Sequence, residues 1–314
     1  MPRLALWGPK YWLTWIGLGA MRLVALLPYA RQLQVGRAVG RLVRRLPLAY
    51  VRIARCNLRL CFPELGAAER EQLLDRHFES LGIGLCEAAM TWWASDAEIG
   101  AISHLEGLEH LERALATGRG AIMIGGHFTT IEIAARILNA AVPLSPLYRP
   151  TKNRVLAEAL QRNRSRFASQ AIPHDSIRAV ISALRRNRVV WYPPDQSYRN
   201  KGAAMVNFFG IPAATTTATS RLAQISGAAV LTYFTERLPE GRGYRAVIGP
   251  PLENFPSADP VADTERYNRL LEAHIRRVPE QYLWMHRRFK GLTADYPDYY
   301  GRDSRRRAPV RVPA

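Results

Sequence analysis

Gly120-Ala121-Ile122-Met123-Ile124-Gly125-Gly126-His127-Phe128-Thr129-Thr130-Ile131-Glu132 is the stretch on which the reading of the chain turns. Four consecutive apolar residues between glycines are too few for a helix and show no polar alternation. They predict a strand buried on both faces. A helical pattern follows over residues 129–140. A strand without a polar face, followed at once by a helix, is the repeating unit of a parallel sheet covered by helices. Outward from it the alternation continues, with strands expected at residues 144–148, 189–192, 229–234 and 244–248. Helices are expected at residues 153–167, 177–186, 216–226 and 259–277. The predicted fold class is α/β, a mostly parallel sheet flanked by helices over residues 101–300.

Upstream, residues 11–27 read YWLTWIGLGAMRLVALL, apolar apart from Arg22 and with Trp12 and Trp15 at one end. Such rings favour the membrane interface. No small-residue cleavage site follows, so a removed signal peptide is not expected. The stretch is shorter than the ~20 residues a span requires, and Arg22 adds a cost unless it snorkels. A single-pass N-terminal membrane helix and an interfacial helix both stay open for an anchor over residues 1–30.

Residues 31–100 form a basic helical collar. Arg31, Arg37, Arg41, Arg44, Arg52 and Arg59 alternate with apolar residues at helical spacing, and a long amphipathic helix is expected over residues 67–90. The chain of 314 residues carries 44 Lys+Arg against 26 Asp+Glu, a net +18, which calls for an anionic partner. Neither a zinc finger, nor basic-zipper heptads, nor an RNP-type motif is present, so the partner expected is an anionic membrane surface and not nucleic acid. The positive-inside rule then places the rest of the chain in the cytoplasm. The 3 cysteines read as core thiols, without a disulfide framework or metal spacing. Residues 301–314 form a basic tail expected to be disordered.

In open sheets of this class, sites form beyond the carboxyl ends of strands. Three such ends carry polar residues: Gly125-Gly126-His127, Tyr148-Arg149-Pro150 and Pro194-Asp195-Gln196. His127 and Glu132 form an H-x4-E pattern, of which about 0.6 occurrences are expected by chance, so context has to carry it. A second match, His104 with Glu109, lacks a preceding apolar run. Within one helix a spacing of five leaves two side chains about 140° apart. With His127 in the strand–helix turn and Glu132 in the first helical turn, the carboxylate can reach the imidazole, and Gly125 and Gly126 permit a tight backbone. A carboxylate on one ring nitrogen fixes the tautomer and leaves the other nitrogen to take a proton. With no nucleophile-elbow Ser or Cys beside it, the activated hydroxyl belongs to a substrate.

At these residues the chain resembles the late acyltransferases of lipid A biosynthesis, the lauroyl/myristoyl transferase family. The resemblance is carried by Tyr11-Trp12-Leu13-Thr14-Trp15, Cys61-Phe62-Pro63-Glu64, His127-Phe128-Thr129-Thr130-Ile131-Glu132 and Tyr148-Arg149-Pro150. It continues through Val190-Trp191-Tyr192-Pro193-Pro194-Asp195, Ala214-Thr215-Thr216-Thr217, Pro279-Glu280-Gln281-Tyr282-Leu283-Trp284 and His286-Arg287-Arg288-Phe289-Lys290. It is similar to the lauroyl-transferring branch, although Asp195-Gln196 stands where that branch would carry Asp-His. The resemblance implies a glycerolipid-acyltransferase-like fold on the cytoplasmic side of the bacterial inner membrane. It further implies transfer of an acyl group from acyl carrier protein to a hydroxyacyl chain of the Kdo-bearing lipid A precursor, with no metal or dissociable cofactor.

On that reading His127 is the general base and Glu132 orients it. Arg149 is the candidate oxyanion donor, or else binds a substrate phosphate. Asp195 orients Arg149, binds substrate or caps a helix. Arg287, Arg288 and Lys290 are expected to contact phosphate or membrane, with a solvated basic face as the alternative. Two rivals stand beside it: a glycerolipid acyltransferase, which would share the H-x4-acid pair, and a basic membrane-associated scaffold without catalysis.

Overall fold

The computed structural model describes residues 6–148, 151, 153–167, 172–173 and 176–301. Arg149 and the basic tail from residue 302 onward lie outside the described residues.

Four helices open the chain: α1 (Trp12–Ala25), α2 (Tyr29–Arg45), α3 (Ala49–Cys61) and α4 (Ala67–Trp93). At 27 residues, α4 is about 40 Å long and serves as the spine of this region. α2 crosses it at backbone distance. A Cβ on Gly40 would stand 2.0 Å from the Phe78 carbonyl oxygen, and one on Gly82 would stand 2.0 Å from that of Gly36. Only glycine allows this approach. It turns Gln32 and Leu33 inward and leaves Arg31, Arg41 and Arg45 outside.

Of the two anchoring modes, the membrane span finds no support in α1. Its 14 residues extend about 21 Å, against a hydrocarbon core of about 30 Å. It ends before Pro28, whose ring cannot continue a helix. Among the described residues no helix is long and apolar enough to cross a membrane. Instead α1 is fastened along the protein: the Arg22 guanidinium lies 5.5 Å from the Trp93 ring centre.

Next come α5 (Asp96–Ala101), β1 (Ser103–Glu106), α6 (Leu108–Leu115), β2 (Ala121–Ile124), α7 (Ile131–Ala141), β3 (Leu144–Tyr148) and α8 (Arg154–Phe167). β4 (Ile172–Pro173), α9 (Ile177–Arg185), β5 (Val189–Trp191), β6 (Ala203–Phe208), β7 (Ile211–Thr216) and α10 (Ala218–Ser226) follow. β8 (Ala229–Arg237), β9 (Tyr244–Pro251) and α11 (Pro260–Arg277) complete the order. One seven-stranded sheet runs β1-β9-β8-β2-β5-β3-β4, and β6 and β7 form a separate hairpin. Every pairing in the large sheet is parallel except β8 with β9, so β9 and β1 run against the other five strands.

β2 sits mid-sheet, and Ala121, Ile122, Met123 and Ile124 are all 0% exposed, as an unalternating apolar strand predicts. Its side chains divide with period two. Ala121 and Met123 pack with Ile133, Ile137 and Trp191 on the α7 face. Ile122 and Ile124 join the opposite core, which extends to Leu58 of α3, Phe78 of α4, Leu184 of α9 and Leu271 of α11. The helical collar and the sheet therefore share one core. The β6–β7 hairpin was not expected from the sequence. Its turn, Phe209-Gly210, holds φ of 51° and 72°, the pair of left-handed residues that a tight hairpin requires.

Candidate active site

The central strand delivers His127. β2 ends at Ile124, and the chain passes through Gly125 and Gly126 under close neighbours. A Cβ on Gly125 would lie 2.5 Å from the Tyr233 carbonyl oxygen, and one on Gly126 2.6 Å from Leu271 Cδ1. Gly125 is needed for the close approach of another backbone, whereas at Gly126 a Cβ would meet the Leu271 and Phe128 side chains. The segment is then clamped by the C-terminal part of the chain. Thr129 N–H donates to the Gln281 carbonyl at 2.7 Å, and Leu283 N–H donates to the His127 carbonyl at 2.9 Å. Phe128 buries its ring between His274 and Tyr282, with centroids 5.0 and 5.4 Å away.

Asp195 arrives from the neighbouring strand. β5 lies next to β2, and the chain beyond Trp191 runs Tyr192-Pro193-Pro194-Asp195. Asp195 is 1% exposed and accepts three hydrogen bonds. His127 Nδ1–H donates to Oδ1 at 2.6 Å and the His127 backbone N–H donates to Oδ2 at 2.8 Å. The Tyr282 hydroxyl donates to Oδ2 at 3.1 Å. Burial alone would raise the Asp195 pKa, but the charge and hydrogen bonds of His127, with the Arg288 charge behind, outweigh it and hold the carboxyl at about 2. Burial acts to lower the pKa of His127, and Asp195 more than reverses it, so the imidazole is raised above its ordinary value.

The expected partner of His127 is therefore corrected. The H-x4-E spacing predicts Glu132, yet Asp195 holds the ring and Glu132 makes no hydrogen bond to His127. Glu132 stands exposed in the first turn of α7, where its charge complements the helix N-terminus. Among the described residues nothing hydrogen-bonds His127 Nε2. With Nδ1 committed to Asp195 and a quarter of the side chain accessible, Nε2 is the atom that can take a proton. No serine or cysteine hydrogen-bonds the ring among the described residues, and no three His, Cys, Asp or Glu side chains there converge as a metal site requires.

The basic motif near the C-terminus divides in three directions. Arg288 is corrected: it is 2% exposed, donates to the Ala214 carbonyl at 3.3 Å and Thr215 Oγ1 at 2.8 Å, and lies 4.9 Å from the Phe208 ring centre. So placed, it cannot touch a membrane surface, and it acts as a buried charge behind Asp195. Arg287 faces outward beside Tyr300. Lys290 is partly buried, and that burial, with the charges of Arg199 and Arg287, lowers its ammonium pKa. His286 is neutral, since burial brings its pKa down to about 4, and its Nε2 accepts the Ser197 N–H at 3.0 Å.

Two tyrosines complete the centre without having been singled out in the sequence. Tyr282 holds Asp195, and Tyr267 donates to the Gly125 carbonyl at 2.6 Å. Tyr282 belongs to the motif 279–284, which was the available signal. Tyr267 lies on α11 with no local mark.

Comparison with known proteins identifies the family. The family model described as bacterial lipid A biosynthesis acyltransferase matches residues 4–291. The chain is 38% identical to the lipid A biosynthesis palmitoleoyltransferase of Escherichia coli (strain K12), over 90% of this chain and 92% of the relative. It is 36% identical to the lipid A biosynthesis lauroyltransferase of the same organism, over 94% and 97%. It is 28% identical to the lipid A biosynthesis myristoyltransferase of that organism, over 88% and 86%. A family match over residues 4–291 and relatives 36–38% identical over most of both chains lead to one conclusion: the protein belongs to the bacterial lipid A biosynthesis acyltransferase family and is an acyltransferase.

Proposed function

We propose that the protein transfers a lauroyl chain from acyl carrier protein to the hydroxyl of a hydroxyacyl chain on the Kdo-bearing lipid A precursor. The observation that carries the reading is the His127–Asp195 pair, which leaves Nε2 open, with no serine or cysteine among the described residues hydrogen-bonded to the ring. The acceptor hydroxyl gives its proton to Nε2, its oxygen attacks the thioester carbonyl, and the carrier thiolate leaves and takes up the proton. Asp195 stabilises the imidazolium that forms between these events. The tetrahedral oxyanion requires donors aimed at it, and Arg149, next in the chain after β3, is the residue we assign. Glu132 is kept as a substrate-side residue at the start of α7. No dissociable cofactor enters the scheme.

The protein works at the cytoplasmic face of the inner membrane, with α1 lying in the interface. This placement is supported by the outward face of α1, where Trp12, Leu13, Ile16 and Leu23 are 60%, 85%, 67% and 67% exposed. Acyl chain length is the point on which the relatives diverge, since lauroyl and palmitoleoyl transferases match about equally well. Mass spectrometry of lipid A from cells lacking this protein tests the proposal. It should show a species lacking one lauroyl group, restored by the wild-type gene. Loss of a different chain would correct the donor, and unchanged lipid A would overturn the reading.

A further inference from the structure

A groove of about 1390 Å³ opens where the α2–α3 turn, the outer face of α3, the start of α4 and residues 298–301 meet. Neither His127 nor Asp195 lines it. Seven arginines do, against Glu71 and Asp298. Some of that charge is answered locally. Arg44 bridges Glu71 at 2.6 Å and Asp75 at 2.8 Å, and Arg55 pairs with Glu71 at 2.6 Å. Among the described residues no carboxylate pairs with Arg45, Arg52 or Arg287, all of them exposed. Three unneutralised guanidinium groups around one concavity repel one another and are relieved by an anion. The planar guanidinium is suited to phosphate in particular.

The same groove carries apolar surface. Leu46 and Leu48 line it and are 44% and 37% exposed, and Leu42, 62% exposed, stands one turn before. A purely ionic ligand would leave these leucines in water. A phosphate on an acyl-bearing molecule satisfies both surfaces at once.

The groove is joined to the catalytic centre by a short stretch of chain. Asn57 of α3 donates from Nδ2 to the Trp284 carbonyl at 2.6 Å and the His286 carbonyl at 2.8 Å. Residues 286–288 then present His286 to Ser197, Arg287 to the groove and Arg288 to the interior behind Asp195.

We propose that this groove binds the phosphate-bearing head group of a lipid through Arg45, Arg52 and Arg287. The site deepens the acyl-transfer reading by giving anionic lipid a defined seat, and it rests on that reading only in the kinetic arm of its test. The full-length protein is sedimented with phosphatidylcholine vesicles and with equimolar phosphatidylcholine/phosphatidylglycerol vesicles. The variant Arg45→Ala/Arg52→Ala/Arg287→Ala is compared with Arg178→Ala/Arg185→Ala/Arg221→Ala, which removes the same charge from exposed positions outside the groove. Each groove arginine should contribute about five-fold, so the first variant should bind anionic vesicles roughly 10²-fold more weakly. The second should lose at most a few-fold, and binding to pure phosphatidylcholine should be alike in all. Arg52→Ala alone gives a milder version of the same test.

Kinetics then separate the two sources of the phosphate. A raised KM for the lipid A precursor with kcat retained assigns the site to the acceptor's own head group. An unchanged KM alongside weakened vesicle binding assigns it to bulk anionic lipid. Equal losses in the two triple variants, or no loss in the groove variant, would overturn the proposal. So would a rise confined to the KM for acyl carrier protein with vesicle binding intact, since the groove would then serve an acidic protein.

Discussion

Asp195 grips His127 twice, taking its backbone N–H on one carboxylate oxygen and its Nδ1–H on the other, at 2.8 and 2.6 Å. Backbone position and ring orientation are thus set by one buried side chain, itself held by Tyr282. A base must be neutral to act, so kcat/KM should rise with pH through the elevated His127 pKa, above the ordinary 6.5. Asp195→Asn removes the cause of that elevation, and the acid limb should move to lower pH. Turnover should also fall by about 10²-fold or more as the tautomer is lost. Glu132→Gln should leave the limb where it is. A pH–rate profile that moves with Glu132→Gln and not with Asp195→Asn would restore the partnership the spacing predicts.

His127→Ala should lower turnover by about 10²–10⁴-fold while the protein stays folded. His104, in the second H-x4-E match, offers the control. Its side chain is 73% exposed and faces Glu106 at 3.6 Å, far in character from a buried dyad, so His104→Ala should be silent. Single-turnover rates on folded variants decide both. Equal activity of wild type and His127→Ala would remove His127 from the chemistry.

Stability should depend on pH through the same pair. The Asp195 carboxyl, held at about 2 against an ordinary 3.8, contributes fully above pH 3.8 and loses that contribution as pH falls through about 2. His127 is raised, so its contribution is complete below pH 6.5 and is lost as pH rises through the elevated value. Thermal melts of wild type and Asp195→Asn should therefore converge at the acid extreme and separate near pH 5. Parallel curves across that range would show that the pair is not coupled to folding.

Behind the His127 segment lies a buried charge network. Arg237 Nε donates to Glu87 Oε1 at 2.5 Å, the Tyr244 hydroxyl donates to the same oxygen at 2.7 Å, and Arg237 Nη1 donates to Ser80 Oγ at 2.8 Å. Ser80 in turn shares a hydrogen bond with Thr129 Oγ1 at 2.7 Å. Glu87→Ala leaves Arg237 charged and nearly without solvent, which should cost about 3–5 kcal/mol in denaturant unfolding. A loss below about 1 kcal/mol would mean that water reaches Arg237.

The parts of this arrangement that could be read from the sequence are the local ones. β2 was legible because its four apolar residues are buried on both faces, and His127 because a strand end and two glycines mark it. The Asp195 partnership was not, since it depends on β5 pairing beside β2, a neighbour set by topology and not by spacing. Arg288 escapes such a reading for a related reason: in His286-Arg287-Arg288-Phe289-Lys290 the charges look alike, while the packing of the segment leaves Arg287 exposed and Arg288 2% exposed. The β6–β7 hairpin is rich in alanine and threonine, and its strand signal is correspondingly weak. α1 reads as a membrane segment because its composition does not reveal that Pro28 and its seat on α4 keep it short.

The surface of α1 gives the last prediction. Trp12, Leu13 and Ile16 point outward and are 60%, 85% and 67% exposed, so they contribute little to the folded core. At an interface each would bury apolar area worth about 1.5–3 kcal/mol when fully covered. Trp12→Ser/Leu13→Ser/Ile16→Ser should thus release much of the protein from membranes while its melting temperature stays within a few degrees of wild type. Deleting residues 1–27 should go further, but the arginines of α2 and α3 should keep a residual affinity for anionic vesicles that high salt removes. The order of the two effects separates the anchoring modes. If α1 lies in the interface, the substitutions and high salt together should free the protein completely. Retention under those conditions would require a deeper insertion than a 14-residue helix on the protein's flank provides.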